Sequence, residues 1–277
     1  MSEVVGLCRF SFVGRGDWVA WRGADEAQVD ALRAETAARL YAPERMEARF
    51  RAFETLLLAS LGAQTDPEWR LIVLTSDLMP APMQERLHAL VAGEPRVVVE
   101  VSGARDVDAG FLPVLDRLGL RDAVQFRIDD DDGLAVDYVA RLRKMAGAMA
   151  GYDAWTFSIA RGLVASFYPG EPARAYGLDM PFLGAGLAVR LPPRMRGGRT
   201  IFGFGHFRLA RRWQAVTDNE GPGYLILRMP EHDSADLRPG SRAMKGHEPM
   251  EWAAFEAAVA QDFGFLDPGT LRTTLGL

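Results

Sequence analysis

Three short apolar runs most constrain the fold of this chain. They are RLIVLT from Arg70, RVVVEV from Arg96 and VQFRI from Val124, and helical apolar patterns separate them. Their apolar residues are largely continuous rather than alternating, which is typical of strands that are buried on both faces. The pattern therefore predicts an α/β fold, in which helices cover both faces of a mostly parallel central sheet.

The remaining patterns suggest one domain over residues 1–277, without repeats or a low-complexity linker. In the first half, residues 1–150, we predict a strand over 4–12, an irregular stretch to residue 42, and helices over 43–62 and 111–118. In the second half, residues 151–277, alternation predicts a hairpin with strands over 155–159 and 163–167. A terminal helix carrying Trp252, Phe255, Val259 and Phe263 then packs on the body or lies over the site.

Charge and cysteine content narrow the classes of function. The chain has 32 Lys and Arg against 37 Asp and Glu, a net charge of -5, so it has no global field that attracts nucleic acid. The single cysteine, Cys8, excludes an internal disulfide and a cysteine-based zinc site. No apolar run approaches about eighteen residues, and the amino terminus lacks a signal-peptide pattern. We therefore expect a cytoplasmic protein.

Four consecutive aspartates, Asp129 to Asp132, follow the VQFRI strand. One interpretation is a solvated turn in which Asp132 caps the next helix and Asp137 lies near its positive end. However, adjacent carboxylates repel one another by about 1 kcal/mol per pair at about 4 Å in water. No basic residue lies directly beside the run, and the carboxyl edge of a parallel sheet is where ligands bind. The sequence therefore favours a bound cation that neutralises the run.

The chemistry of carboxylates narrows the choice of cation. Carboxylate oxygens are hard ligands, which predicts Mg²⁺ or Mn²⁺ with a substrate diphosphate and water completing the shell. A calcium loop of the EF-hand type does not fit, because Gly133 and Ala140 stand at the fifth and twelfth positions counted from Asp129. A phosphatase with an aspartyl nucleophile is disfavoured, since its D-x-D pattern follows the first strand.

Four segments carry a family resemblance over residues 4–236. They are GLCRFSF, RFRAFETLLLASLGAQTDPEWRLIVLTSDLMP, FRIDDDDGLAVDYV and EHDS. Together they resemble the "putative rhamnosyltransferase" family of bacteria, within the nucleotide-sugar glycosyltransferases of the GT-A fold. The resemblance implies a single GT-A-like domain, with a nucleotide-sugar-binding half over 1–150 and an acceptor half over 151–277.

The resemblance also implies roles for individual residues. Asp129 would lie near the ribose of the donor, with Asp130 and Arg127 beside it. Asp131 would bind the metal. Asp132 would either be a second metal ligand or cap the helix that follows. In such enzymes the cation stabilises the charge that develops on the departing nucleoside diphosphate.

Several residues outside the acidic run are further candidates. Arg9, in the first strand, is costly to bury unless it reaches the diphosphate or pairs with an aspartate. Asp77 either contacts the base or ribose or is a turn residue before Pro80. His232 in EHDS is a candidate third metal ligand, with a surface-loop histidine as the alternative, and His206 is the second candidate.

Two predictions concern the acceptor. Residues 190–212 hold the one basic cluster, which is either a solvated face or a surface for an anionic or lipid-linked glycan, with peripheral contact at the inner membrane surface. Its members are Arg190, Arg194, Arg196, Arg199, Arg208, Arg211 and Arg212. The catalytic base is not identified, and the carboxylates available for that role are Asp179, Asp218, Glu220 and Asp233.

Two classes of function therefore compete. The first is a metal-dependent glycosyltransferase that moves a sugar, rhamnose by the family name, from a nucleoside-diphosphate sugar to a glycan or lipid-linked acceptor. The second is a non-catalytic GT-A-like module that binds a glycan or partner and holds a divalent cation. Binding of nucleoside diphosphates with Mn²⁺ distinguishes them, because only the first class needs it.

Overall fold

The structure is a computed structural model that describes residues 3–14, 26–230, 237 and 241–271. The strands are β1 (Val4–Arg9), β2 (Arg70–Ser76), β3 (Val97–Ser102), β4 (Val124–Asp129), β5 (Asp132–Leu134), β6 (Trp155–Ser166), β7 (Arg174–Asp179), β8 (Ala188–Arg190), β9 (Gln214–Arg228) and β10 (His247–Met250). The helices are α1 (Glu26–Leu40), α2 (Pro43–Ala52), α3 (Ala59–Gly62), α4 (Ala81–Val91), α5 (Val107–Arg117), α6 (Tyr138–Ala148), α7 (Pro193–Arg196), α8 (His206–Leu209) and α9 (Trp252–Asp262). A π-helical segment, Phe53–Leu58, joins α2 to α3, and 3₁₀ turns lie at Ile201–Gly203, Arg242–Met244 and Pro268–Thr270.

One curled sheet contains the described strands. β3, β2, β1 and β4 lie side by side in that order and run parallel. The three apolar runs that predicted the fold are β2, β3 and β4, so the prediction of an α/β fold with a parallel central block is confirmed. β8 then joins β4 in the antiparallel direction, and β6 pairs antiparallel with β7 and β8 and parallel with β9. The parallel block thus belongs to the first half, and the second half extends it with mixed strands.

Both faces of the parallel block are buried, as the continuous apolar strands require. Val73 of β2 belongs to the apolar cluster that includes Phe50 of α2. The preceding residue, Ile72, points the other way and belongs to the cluster that includes Phe111 of α5. All four side chains are almost fully buried. Neither face of this strand meets water, so neither face needs polar residues.

The first half differs from the predictions mainly at element boundaries. β1 ends at Arg9 rather than at residue 12, and Ser11 has a left-handed backbone with φ of 47°. The helical segment that begins at Pro43 is confirmed. α5 begins four residues earlier than predicted, because the side chain of Asp106 accepts a hydrogen bond from the Ala109 amide and caps the helix. The stretch predicted to be irregular contains α1, whose small alanines make its apolar stripe weak.

The predicted hairpin over 155–167 is wrong, because β6 is one strand from Trp155 to Ser166. Its hairpin partner is β7, and the turn follows Ser166. Gly162 suggested a turn, but its role is close packing: a Cβ atom there would lie 2.0 Å from Cε2 of Tyr224. The exposed Arg161 sits at an irregularity in the pairing of β6 with β9.

The predicted terminal helix is present as α9 and packs on the body of the protein. Phe255, Val259 and Phe263 are fully buried in a cluster with Leu163 of β6 and Leu225 of β9. No helix within the described ranges is long and apolar enough to cross a membrane. The division of the chain into a donor half and an acceptor half stays a prediction.

Candidate active site

The acidic run begins where β4 ends, at one edge of the parallel block. β4 is parallel to β1, and Arg9 and Asp129 occupy paired positions at the carboxyl ends of these strands. β2, on the other side of β1, ends at Ser76, directly before Asp77. Because the carboxyl ends of parallel strands meet at one edge, Arg9, Asp77 and Asp129 lie along the same edge, where open α/β sheets bind ligands.

Two arginines contact Asp129. Nη2 of Arg9 lies 3.4 Å from Oδ1 of Asp129, and Nη2 of Arg127 lies 3.7 Å from the same oxygen. The Arg9 side chain is 18% exposed and that of Asp129 is 38% exposed, so the pair borders solvent. Arg9 therefore pairs with an aspartate, one of the two roles that its place in β1 predicts.

A third arginine, Arg49 of α2, was missed by the sequence analysis. Its Nη1 atom lies 2.5 Å from Oδ1 of Asp130 and 3.0 Å from Oδ2 of Asp131. Protein side chains thus supply counter-charges to Asp129, Asp130 and Asp131, so the charge of these three does not by itself require a bound cation. That a cation binds at the run stays a prediction. A signal for Arg49 exists, because it lies three residues after the buried Met46 and faces the core side of its helix.

The aspartates differ in their affinity for protons. Burial acts to raise the pKa of Asp129, but the charges of Arg127 and Arg9 outweigh burial and hold it below the usual value. Burial raises the pKa of Asp130 to about 7 even though Arg49 opposes the rise, and Asp131 and Asp129 add to it. The run therefore combines a carboxylate that stays ionised with one that binds a proton near neutral pH.

The fourth aspartate of the run, Asp132, differs from the other three in its surroundings within the part of the chain that the structure describes. It lies in β5, and α6 begins later at Tyr138 with Asp137 at its cap position, so the predicted capping role of Asp132 is wrong. Within the described ranges, no residue forms a hydrogen bond or ion pair with its side chain, which is buried. Burial, together with the charges of Asp131 and Asp129, raises its pKa well above the usual value. A nearby cation would relieve this cost.

Asp132 opens into a cavity of about 210 Å³ at the carboxyl edge of the sheet. The apolar part of the lining includes Leu183 and Ile226. Its charged and polar lining consists of Arg127, Asp129, Asp131, Asp132, His206 and Arg228. Carboxylates and guanidiniums therefore meet around one cavity, which suits a ligand that carries anionic groups together with a cation.

His206 is brought to this cavity by the turn before α8. Its Nδ1 atom lies 3.0 Å from the backbone oxygen of Phe182. Since a carbonyl oxygen only accepts hydrogen bonds, Nδ1 carries the hydrogen, and in the neutral ring Nε2 carries the lone pair. Phe182 has a left-handed backbone with φ of 64°, and its amide donates to Oγ of Ser158 at 2.8 Å. Such backbone strain is typical of functional sites.

Arg228, at the end of β9, is a second arginine that the sequence analysis missed, and unlike Arg49 it lines the cavity. β9 pairs with β5 so that Ile226 lies opposite Asp132, which carries Arg228 to the acidic run. The charge of Arg228 acts to lower the pKa of Asp132. The signal in the sequence is the arginine that ends the apolar run YLILR, the same type of position that drew attention to Arg9.

Asp77 lies at the same sheet edge but does not line the cavity. Its Oδ1 atom accepts a hydrogen bond from Nη2 of Arg33 at 3.1 Å. Nη1 of Arg33 lies 3.3 Å from the backbone oxygens of Val13 and Ala104, so one buried guanidinium ties together the segments that follow β1, β2 and β3. The donor contact predicted for Asp77 stays a prediction.

The carboxylates considered for the catalytic base lie away from the cavity lining or outside the described residues. Asp218 accepts a hydrogen bond from Nε of Arg141 at 2.8 Å, and Glu220 follows it on β9. Asp179, with a side chain 62% exposed, lies 3.8 Å from Arg161. Asp233 and His232 lie outside the described residues, so their roles stay predictions.

The arginines of residues 190–212 are not equivalent. Arg196 lies 2.7 Å from Asp122, and Arg199 lies 3.3 Å from the buried Asp108, so these two are paired. Arg208 and Arg211 are exposed on and after α8. The exposed end of this segment follows the cavity residue His206 in the chain, and neither Arg208 nor Arg211 lines the cavity itself.

The donor set fits a cation that arrives with its own oxygen ligands. The described residues contain no group of three or more His, Cys, Asp or Glu side chains that could hold a metal ion by themselves. However, Asp131 and Asp132 both line the cavity. Beside them, one buried oxygen of Asp130, Oδ2, has no hydrogen-bond partner among the described residues. Mg²⁺ and Mn²⁺ typically use one or two protein carboxylates together with phosphate oxygens and water. These residues therefore fit such a cation.

The chain is thus an α/β protein with a charged cavity at the carboxyl edge of its parallel block, the place where open α/β sheets bind ligands. Residues 3–241 match the family model described as "Putative rhamnosyl transferase". The chain therefore belongs to this glycosyltransferase family, which confirms the resemblance found in the sequence. No protein with a curated description matches the chain.

Solved structures of nucleotide-sugar enzymes are distantly similar. That of S. aureus TarS 1-349 in complex with UDP-GlcNAc has 9% identity and a TM-score of 0.41, with 99% of this chain and 70% of that chain covered. The structure of a "putative nucleotide-diphospho-sugar transferase" from Desulfovibrio desulfuricans G20 has 10% identity and a TM-score of 0.33, with 98% of this chain and 99% of that chain covered. The assignment rests on the family match and not on these scores.

Proposed function

We propose that this protein transfers a sugar from a nucleoside-diphosphate sugar to a glycan or lipid-linked acceptor, with Mn²⁺ or Mg²⁺ at the acidic run. The observation that carries the proposal is Asp132, a buried carboxylate without a described partner that opens into a cavity also lined by Arg127 and Arg228. Carboxylates for a cation beside guanidiniums for phosphate match the charges of a metal-bound diphosphate. Rhamnose is the sugar that the family name suggests.

Asp131 and Asp132 would hold the cation, with His232 as the predicted third ligand. When bound, the cation supplies positive charge against the departing nucleoside diphosphate. Arg127 and Arg228 line the same cavity and would donate charge-assisted hydrogen bonds to phosphate oxygens. Asp129 holds Arg127 and Arg9 in place, because it contacts both guanidiniums.

The experiment that tests the function is thermal shift with Mn²⁺ and UDP, GDP or dTDP in turn. A ligand that binds only the folded state raises the free energy of unfolding by RT ln(1 + [L]/Kd), which is about 2.7 kcal/mol at a hundredfold excess over Kd. We expect one of the three to raise Tm by several degrees, and more with Mn²⁺ than with EDTA. If none of the three nucleotides raises Tm, the protein is instead the non-catalytic module.

His206 is proposed as the group that accepts the proton of the acceptor hydroxyl, because its lone-pair nitrogen belongs to a ring that lines the cavity. His206→Gln is expected to lower hydrolysis of the donor, with water as the acceptor, by about a hundredfold. The affinity for the nucleoside diphosphate should stay within about threefold of the wild-type value, because the substitution removes neither a carboxylate that would hold the cation nor a guanidinium that would contact phosphate.

The matched control is His88→Gln, which changes an exposed histidine on α4. It should leave both the hydrolysis rate and the affinity at wild-type values. If His206→Gln abolishes nucleotide binding rather than turnover, His206 is a ligand of the cation or the diphosphate and the proton-accepting role is wrong.

The acceptor would approach past the exposed end of residues 190–212, where the exposed Arg208 and Arg211 follow His206 in the chain. Exposed guanidiniums at this place suit an anionic glycan or the head groups of a lipid-linked acceptor. Peripheral contact with a membrane stays a prediction, and co-sedimentation with vesicles that contain anionic lipid, compared with neutral vesicles, would test it.

A further inference from the structure

Phe202 lies against the two arginines that contact Asp129. Cζ of Arg9 is 4.7 Å from the centroid of the Phe202 ring, and Cζ of Arg127 is 4.8 Å from it. At such distances the negative face of an aromatic ring attracts a guanidinium. Phe202 itself does not line the cavity, so it reaches the acidic run through these two side chains.

The backbone that carries Phe202 is fixed by buried hydrogen bonds. The amide and Oγ1 of Thr200 donate to Oδ1 of Asp108 at 3.0 Å and 2.5 Å. The Ile201 amide donates to Oε1 of Gln125 at 2.9 Å, and the Phe202 amide donates to Oγ1 of Thr200 at 3.2 Å. Thr200, Asp108 and Gln125 are all buried. A satisfied buried network of this kind holds a segment in one conformation.

The ring of Phe202 is held as well as its backbone. It stacks on Phe111 of α5, with ring centroids 5.6 Å apart and an interplanar angle of 7°. Gly203 allows the turn to pass Asp108 closely, because a Cβ atom there would lie 2.5 Å from Oδ2 of Asp108. The ring therefore presents a fixed surface to the guanidiniums.

We propose that Phe202 is a positioning residue for diphosphate binding. Arg9 and Arg127 carry like charges, yet both contact Asp129 and the same ring. Asp129 attracts them from the cavity side and Phe202 from the protein side, which offsets their mutual repulsion and limits the conformations of two long side chains. The guanidiniums are thus preorganised before phosphate arrives. This inference rests on the proposed function.

Two substitutions of Phe202 separate its aromatic face from its bulk. Phe202→Leu keeps an apolar side chain without a π system, and Phe202→Tyr keeps the ring. Calorimetry with Mn²⁺ and the nucleoside diphosphate that wild type binds should show about tenfold weaker binding for Phe202→Leu, the size of a partly desolvated cation–π contact. Phe202→Tyr should stay within about twofold.

The matched control is Phe204→Leu. Phe204 lies two residues away and also has an arginine over its ring, since Cζ of Arg212 is 5.1 Å from the centroid. It packs on Trp213 rather than on the arginines of the acidic run. Phe204→Leu therefore removes an aromatic ring from the same segment, as Phe202→Leu does, without touching the arginines of the acidic run. It should bind the nucleotide as wild type does.

A series of fluorinated phenylalanines at position 202 provides a readout that a merely structural role would not change. Fluorination weakens the negative face of the ring while nearly preserving its shape, so affinity should fall stepwise with the number of fluorine atoms. Wild-type affinity in Phe202→Leu, or a flat fluorine series, would overturn the inference. Failure of wild type to bind UDP, GDP or dTDP would overturn the proposed function, and the inference with it.

Discussion

Asp132→Asn is expected to raise the melting temperature of the metal-free protein and to lower its metal-dependent nucleotide affinity by about a hundredfold. The two effects have one cause. Asp132 is buried, has no partner within the described ranges, and has a pKa well above its usual value because of burial and the charges of Asp131 and Asp129. Asparagine keeps the shape but removes both the cost of burying the charge and the charge that would hold a cation.

The pH dependence of this effect has a definite sign. The pKa of Asp132 is raised in the folded state above its usual value of 3.8. At a pH above 3.8, folding must therefore either bind a proton at Asp132 or bury its charged carboxylate. The contribution of Asp132 to the free energy of unfolding of wild type is therefore most favourable below about pH 4. It falls as pH rises toward the pKa of Asp132 in the folded state. The gain in Tm of Asp132→Asn over wild type should grow over the same interval.

Differential scanning fluorimetry from pH 4 to 8, with EDTA or with Mn²⁺ and nucleotide, measures both effects. Asp179→Asn serves as the control, because Asp179 is exposed and lies away from the cavity lining. It should change neither Tm nor affinity. A lower metal-free Tm in Asp132→Asn would show that the carboxylate stabilises the fold, which would remove the main argument for a cation.

The sequence revealed the parts of the fold that local pattern determines. Continuous apolar residues in β2, β3 and β4 predicted burial on both faces, and both faces are covered. The prediction of a hairpin over 155–167 was wrong because a glycine such as Gly162 is typical of turns. The packing of Gly162 against Tyr224 is visible only when β9 is placed beside β6. Close approach of a ring to the backbone of a distant strand depends on tertiary contacts that local sequence patterns do not reveal.

The residues of the candidate site also differ in how far the sequence predicts them. Its aspartates are consecutive, so the order of residues alone reveals them. Arg49 and Arg228 come from α2 and β9, and pairing across such separations follows from the arrangement of the sheet. The sequence thus predicted the negative half of the site and underestimated its positive half. His206 was named as a second candidate, and the turn before α8 places it in the cavity.

Arg49→Met is expected to lower the free energy of unfolding by about 3–5 kcal/mol at pH 8, the usual cost of removing one partner from a buried ion pair. Asp130 is 3% exposed, and Nη1 of Arg49 lies 2.5 Å from its Oδ1. Without Arg49, the Asp130 carboxylate stays buried beside Asp131 and Asp129 with its strongest described counter-charge removed. Urea denaturation of wild type and variant at pH 5 and pH 8 measures the loss.

The loss should be smaller at pH 5, and the sign follows from the pKa of Asp130. Burial raises that pKa to about 7 in the folded protein, above the usual 3.8, and Arg49 opposes the rise. At pH 5 the carboxyl group of Asp130 is therefore mostly protonated in the folded state and needs its counter-charge less. As pH rises through about 7 the carboxylate ionises, so the cost of losing Arg49 increases.

Two further variants identify the buried charge as the cause. Arg51→Met, on the same helix, removes an arginine whose pair with Glu47 at 3.7 Å is partly exposed, and it should cost less than about 1 kcal/mol. Arg49→Met combined with Asp130→Asn should recover most of the loss at pH 8, because no charge then remains at position 130. An equal loss at both pH values, or no recovery in the double variant, would mean that Arg49 acts through packing or through Asp131, which it also contacts, and not through Asp130. Recovery would show that Arg49 keeps a buried carboxylate ionisable beside the ligands of the proposed cation.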